Sequence, residues 1–201
     1  MTAPDPFQAL AAALRGPGAD SSDYELNPGF GPPAGRVLRP AGVLVGLVPA
    51  AGGIEVILTK RASGLKHHPG QIALPGGKVE PGDGGPVGAA LREAAEEVGL
   101  PPGAAGVLGL LPPHETVTGF VVTPVVARVE PFALRAEAGE VEEAFTVPLA
   151  HVADPASYVI ERRIWMGRER RYYAVPWGPY YIWGATARIL RALADRLAAA
   201  A

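Results

Sequence analysis

Two apolar runs, residues 43–48 and 54–59, flank the segment Pro49-Ala50-Ala51-Gly52-Gly53. β-branched and aliphatic residues on both sides of a Gly-rich loop predict a β-hairpin. The period changes over residues 86–99. There Ala90, Leu91, Ala94, Ala95 and Val98 recur at helical spacing, and Gly99 stands where a helix-ending glycine belongs. Strand-like runs follow at residues 107–111, 121–129 and 144–147, with weaker ones at 158–166 and 171–175. Residues 186–200 carry Ile189, Leu190, Leu193 and Leu197 as the apolar stripe of a closing helix. The first fourteen residues form a short amphipathic helix; Asp5 and the lack of a basic start argue against a secretion signal. Between that helix and the first strand, residues 16–42 hold eleven Gly and Pro and predict an irregular segment. Strands interrupted by a few isolated helices predict an α+β fold. The expected division is an N-terminal helix and Gly/Pro-rich segment over residues 1–39 and a main domain over residues 40–201.

Composition narrows the chemistry. At 201 residues and 48% hydrophobic, the chain is long enough for a core that needs no covalent staples. With no cysteine, disulfides, thiolate zinc sites, iron–sulfur clusters and a cysteine nucleophile are excluded. A cysteine-free chain suits a reducing compartment, and a cytoplasmic location is expected. A net charge of −2 gives no general pull toward nucleic acid or an anionic membrane. No run of about 18 apolar residues is present to span a membrane. The expected partner is a small molecule.

Residues 74–100, LPGGKVEPGDGGPVGAALREAAEEVGL, hold the candidate chemistry. Glu93, Glu96 and Glu97 are three and four residues apart, on one helix face, where like charges repel. A hard divalent cation would offset that repulsion, because Mg²⁺ takes carboxylate oxygens and keeps several waters. Arg92 is placed to brace the cluster. Pro75-Gly76-Gly77 ahead of the helix allows sharp turns and leaves backbone carbonyls accessible as further oxygen donors. Taken alone, such a patch is an ordinary solvated acidic face; the glycine loop before it changes the reading.

Loop and helix together resemble the box of the Nudix hydrolase family, G-x5-E-x7-R-E-U-x-E-E-x-G-U with U aliphatic. The second half stands as Arg92-Glu93-Ala94-Ala95-Glu96-Glu97-Val98-Gly99-Leu100, with alanine at the first U. In the first half, five residues lead from Gly77 to Asp83 rather than to Glu, and eight rather than seven separate Asp83 from Arg92. Directly upstream, Ile57-Leu58-Thr59-Lys60-Arg61-Ala62 leads through Lys66 and Gly70 to Leu74-Pro75-Gly76-Gly77. This is similar to the signature of the coenzyme A pyrophosphatase subfamily, L-L-T-x-R-S-x3-R-x3-G-x3-F-P-G-G, with every spacing kept. Later segments such as Tyr181-Ile182-Trp183-Gly184 also look like that subfamily, so the likeness covers roughly residues 40–190.

The resemblance implies an α/β/α sandwich around a mixed sheet, with the box as strand, loop and helix. It implies hydrolysis of the pyrophosphate of coenzyme A to 3′,5′-ADP and 4′-phosphopantetheine with Mg²⁺ or Mn²⁺. By family position Glu93, Glu97 and Gly77 hold the metal. Glu96 takes a second metal or the proton of the attacking water, and Arg92 orients the glutamates. Glu140, ahead of a predicted strand, is a candidate for an extra catalytic acid; it is equally one more surface acid beside Glu142 and Glu143. Arg61 and Lys66 are placed to bind substrate phosphates, and Gly70 to shape their loop; His67 and His68 are further candidate donors. The aromatic last third, with Trp165, Trp177, Trp183, Tyr172-Tyr173 and Tyr180-Tyr181, is expected to complete a core or a homodimer interface before stacking on a base. Arg162-Arg163 and residues 168–171 are expected to form a solvated face. Two other functions compete: hydrolysis of another nucleoside diphosphate derivative, such as ADP-ribose or NADH, and a Nudix-fold binding module without turnover.

Overall fold

The predicted hairpin is the centre of the sheet. In the computed structural model, which describes residues 5–165 (the Trp165 side chain excepted) and 167–200, strand β2 (Arg39–Ala50) turns at Ala51-Gly52 into β3 (Gly53–Arg61). Both strands outrun the apolar cores that predicted them, and Pro49 pairs with Ile54 inside the ladder. The predicted irregular segment is correspondingly shorter, because Arg39 to Gly42 belong to β2. Earlier come helix α1 (Pro6–Leu14) and the two-residue strand β1 (Ser21–Ser22). After β3 follow β4 (Ile72–Ala73), β5 (Gly76–Lys78) and helix α2 (Pro86–Val98), closed by Gly99 at φ 72° as its sequence position predicted. Then come β6 (Ala105–Leu110), β7 (His114–Glu115), β8 (Phe120–Val129), β9 (Val141–Pro148) and the short helix α3 (Leu149–Val152). A 3₁₀ turn at Pro155–Ser157 leads to a separate two-stranded ribbon, β10 (Val159–Trp165) and β11 (Arg168–Ala174), and to the closing helix α4 (Ala185–Ala200). Residues 1–4 of the predicted first helix, Met166 and the Trp165 indole lie outside the described residues.

The main sheet is mixed. β2 runs parallel to β8 and antiparallel to β3 and β5, and β9 extends the sheet beyond β3. Side chains alternate across it, as strand geometry requires. Leu44, Ile57, Val125 and Ala127 point to the α2 face, where they meet Ala90, Ala94 and Val98. Val45, Leu47, Val56 and Leu58 point to the opposite face, which α1, α3 and α4 cover with Leu10, Leu14, Val152, Leu190 and Leu193. Helices on both faces of a mixed sheet make the predicted α/β/α sandwich.

Small residues set how closely α2 approaches the sheet. Ala89, Ala90 and Ala94 are fully buried. A Cβ built on Gly42 of β2 would lie 1.9 Å from the Pro86 carbonyl oxygen and 3.1 Å from the Ala90 nitrogen. Gly42→Ala must therefore push the whole N-terminal turn of α2 off β2. Forced overpacking of this kind costs about 1–3 kcal/mol. We expect a lower urea midpoint with an unchanged m-value, whereas an unaltered midpoint would mean the helix is not seated as described.

Candidate active site

The close seating of α2 brings its glutamates to the backbone of β5. The Glu97 side chain accepts a hydrogen bond from the Gly76 N–H at 3.1 Å, and Glu97 is only 6% exposed. The Glu93 carboxylate lies against Gly77, where a Cβ would stand 2.2 Å from Glu93 Oε1. Gly77 is thus the residue that makes room for a carboxylate over bare backbone. Glu96 lies outside, on the exposed side of the helix. Arg92 links the set. Its Nε and Nη2 take both Asp83 oxygens at 2.8 and 3.2 Å, Nη2 also donates to the Lys78 carbonyl, and Nη1 lies 3.0 Å from Glu93 and 3.1 Å from Glu96. Asp83 in turn accepts from the Glu80 N–H at 2.7 Å. The Arg92 guanidinium, assisted by that N–H, holds the Asp83 carboxyl below its usual range.

The two inner carboxylates are in the opposite state. Burial, then the neighbouring charges of Glu93 and Glu140, pushes Glu97 up to about 7, against the Gly76 N–H and the cation of Arg61. Burial also pushes Glu93 up, with Arg92 opposing and Glu96 and Glu140 adding. Glu140 is exposed, and the chain before it brings it near. The Arg135 and Glu137 N–H groups donate to the Val98 and Glu97 carbonyls, so the segment leading into β9 ends the carbonyl ladder of α2.

Beside the glutamates opens a cavity of about 1020 Å³ that Gly76 and Arg61 both line. Arg61 sits where the β3–β9 register shifts, a bulge of the kind that re-aims a side chain, and its buried Nε has no hydrogen-bond partner among the described residues. Gly70, at φ 68°, and His68 also line the wall. Lys66 and His67 are exposed and lie outside it. Of the aromatic residues expected in a core or dimer interface, Tyr173 and Tyr180 do pack against the core, Tyr180 stacking on Phe145 at 3.7 Å, and these two, with Tyr172, Tyr181 and Trp183, also line this space. Trp177 does not; it packs on His151 and is 38% exposed. Arg163, Arg170 and Arg171, expected on a solvated face, line it too.

Sequence reasoning missed the contribution of the N-terminal segment. Asp23 and Glu25 line the cavity, and Glu25 pairs with Arg188 of α4. A buried chain of hydrogen bonds holds Asp23 in place. Ser21 Oγ lies 2.9 Å from His114 Nδ1, His114 Nε2 lies 3.3 Å from Asp23 Oδ1, and Asp23 Oδ2 accepts from the Val117 N–H at 2.8 Å. Burial pushes the Asp23 carboxyl up, but His114 and that N–H outweigh it and hold it below its usual value. The one available signal was the polar pair Asp23 and His114, which nothing in the local sequence connects.

A profile of the NUDIX domain matches residues 38–166. The chain belongs to the Nudix hydrolase family. A relative from Cronobacter sakazakii, named Uncharacterized Nudix hydrolase NudL, is 44% identical over 162 residues, covering 78% of this chain and 81% of that protein. A MutT protein from Methanosarcina mazei superposes with a TM-score of 0.51 at 20% identity, over 83% of this chain and 97% of the other. A MutT/nudix family protein from Enterococcus faecalis gives 0.52 at 16% identity, over 85% and 66%. At these identities the structural likeness speaks for the fold. The protein is a Nudix pyrophosphohydrolase of nucleoside diphosphate derivatives.

Within the Nudix box, the three departures have a physical account. The extra residue falls in the turn before α2, where Gly82, Gly84 and Gly85 all adopt positive φ. The shorter acid Asp83 still reaches Arg92 with both oxygens. Ala94 at the aliphatic position lets the helix sit closely among Leu44 and Val98. A divalent cation suits the inner carboxylates. Among the described residues no three acidic or imidazole side chains form a closed metal cage. The donors are hard oxygens, however, and Mg²⁺ binds through one or two carboxylates and its own waters. Two desolvated, mutually repelling carboxylates beside Gly77 are a donor set that a cation would stabilise.

The elevation of Glu97 sets a pH dependence. Its folded value of about 7 exceeds the ordinary 4.5, so the native state holds its proton to higher pH than the unfolded chain. The contribution is full below about pH 4.5 and is lost as pH rises through 7. Its size is on the order of 3 kcal/mol. In chelator, the melting temperature is expected to fall between pH 5 and 8, and Glu97→Gln should flatten that fall and raise the melting temperature at pH 8. An equal fall in both proteins would remove Glu97 as its source.

Proposed function

We propose that this Nudix hydrolase cleaves the pyrophosphate of coenzyme A, using Mg²⁺ or Mn²⁺, to 3′,5′-ADP and 4′-phosphopantetheine. The observation that carries the reading is the position of Arg61. This arginine of the upstream motif has a buried Nε with no hydrogen-bond partner among the described residues, is felt electrically by Glu97 and lines the cavity beside the box. A guanidinium with an open donor between acidic residues and an aromatic-lined cavity suits one oxygen of a bound pyrophosphate. The cavity lies at the upper end of the usual 300–1,000 Å³ range for small-molecule sites, in keeping with a long substrate.

In this reading Glu93 and Glu97 hold the cation, with a backbone carbonyl at Gly77 as a further oxygen donor. When bound, the cation would neutralise the pyrophosphate and make water a better nucleophile. Arg92, fixed by Asp83, keeps Glu93 and Glu96 in register. Glu96, exposed beside them, accepts the proton of the attacking water, and Glu140 adds negative charge on the same side. Water adds to one phosphorus, the bridging P–O bond breaks, and the leaving phosphate takes the electron pair. Arg61, with Gly70 shaping the adjoining loop, binds the substrate side; Lys66, outside the cavity, is left without a contact there. The substrate is a small molecule, and neither nucleic acid nor a membrane is required; among the described residues no helix is long and apolar enough to cross one. A cytoplasmic setting suits a cysteine-free enzyme of coenzyme A.

Product analysis by mass spectrometry with coenzyme A, ADP-ribose and NADH in parallel tests the reading. The expected result is fastest release of 3′,5′-ADP and phosphopantetheine; faster cleavage of either alternative would overturn the substrate. Glu97→Gln should lower kcat/KM roughly a hundredfold or more while leaving the protein folded. Binding of all three compounds without turnover, in wild type and variant alike, would instead identify a binding module.

A further inference from the structure

The cations around the cavity are not equivalent. Lys60 holds Glu142 at 2.6 Å, Arg171 lies 3.4 Å from Glu169, and Arg188 pairs with Glu25. Arg163 lines the same cavity and has no carboxylate partner among the described residues. It stands directly across the β10–β11 ladder from Arg170, which donates to the Asp23 carbonyl at 3.4 Å. Like charges facing each other on one rung are unfavourable, and nothing in the fold of a two-stranded ribbon requires them. The Arg163 guanidinium lies 5.4 Å from the centre of the Trp183 ring. Trp183 packs edge-on against Tyr172 at 5.0 Å and lies 6.5 Å from Tyr181. A cation held over an aromatic group, opposite a second cation and open to a cavity, is the composition of a site for an anion attached to a ring system.

Among the described residues, the cavity thus presents arginines without carboxylate partners on two separate sheets: Arg61 at the end of β3 and Arg163 on the ribbon. A ligand that matched both would carry two separated anionic groups. We propose that Arg163 is a specificity-determining residue whose guanidinium takes a phosphate monoester on the nucleotide half of the substrate, while the pyrophosphate lies toward Arg61. This rests on the reading above in one respect, that the substrate is a nucleotide with a second phosphate. Arg163 forms the bidentate contact, Arg170 adds charge from across the rung, and Trp183 with Tyr181 gives the ring system a face to lie on.

The experiment measures equilibrium binding rather than turnover, by calorimetry in Mg²⁺ with 3′,5′-ADP and 5′-AMP, which differ only in the ribose phosphate. Wild-type protein is expected to prefer 3′,5′-ADP at least tenfold. Arg163→Gln should bind both alike, with 5′-AMP affinity within about threefold of wild type, because only the contact to the extra phosphate is lost. Arg163→Lys, which keeps the charge without the fork, should recover part of the preference. Arg163 is exposed, so both variants are expected to melt with the wild type. Three results would overturn the assignment: no preference in the wild type, a preference that survives Arg163→Gln, or an equal loss for both nucleotides. If coenzyme A is not cleaved and the preference still depends on Arg163, the coenzyme A reading fails and the ribose-phosphate site stands.

Discussion

Two carboxylates pressed against glycine backbone are the constraint on which the rest of the structure depends. Glu93 and Glu97 reach Gly77 and Gly76 only because α2 lies almost on the sheet. That seating needs Gly42 in β2 and alanines on the inner face of the helix. The arrangement is unfavourable to the metal-free protein, since burial of a carboxylate without a cation raises its pKa and lowers stability at neutral pH. The sequence retains it beside a cavity, which is the pattern expected where stability yields to chemistry. The opposite arrangement exists in the turn before α2: Asp83, of the same charge type, is held by Arg92 and the Glu80 N–H. The difference between the two environments separates a braced acid from two desolvated ones.

Arg92 shows why one residue more in a loop need not disturb the site. A guanidinium has a fixed fork, so whatever satisfies it must arrive in its plane. The longer, glycine-rich turn delivers the shorter Asp83 to that fork; Nη2 also donates to the Lys78 carbonyl, and the remaining nitrogen, Nη1, stays on Glu93 and Glu96.

How much was legible in the sequence follows the range of the interactions. The helix 86–99 and the hairpin around Gly52 depend on neighbours within a few residues, and both stand where periodicity placed them. Glu93 and Glu97 share one motif with the glycines they meet, Gly77 for Glu93 and Gly76 for Glu97. The two-residue strands β1, β4 and β7 are too short to carry a period, and they escaped notice. The bond from Ser21 to His114 joins residues 93 apart, and that from Asp23 to His114 joins residues 91 apart. No local pattern encodes such a contact. Arg163 and Arg170 look like solvated surface when read along the chain, because a strand alternates faces whether or not something lies opposite. Only the position of the ribbon over the cavity separates them from Arg162, which pairs with Glu169.

The segment before the sheet illustrates what such long-range contacts accomplish. Its composition is that of a linker, yet Ser21 and Ser22 pair in parallel with His114 and Glu115. The Asn27 side chain then accepts from the Arg171 N–H at 2.8 Å and donates to the Arg171 carbonyl at 3.0 Å, so a side chain of this segment holds the backbone of the ribbon. The carboxylate half of the site is therefore built by local sequence and the cavity half by distant pairings. Changes in the distant pairings can move the ribbon over the cavity while α2 and β5 stay as they are. In a family whose members share the box, that separation allows the reaction to be kept while the substrate changes.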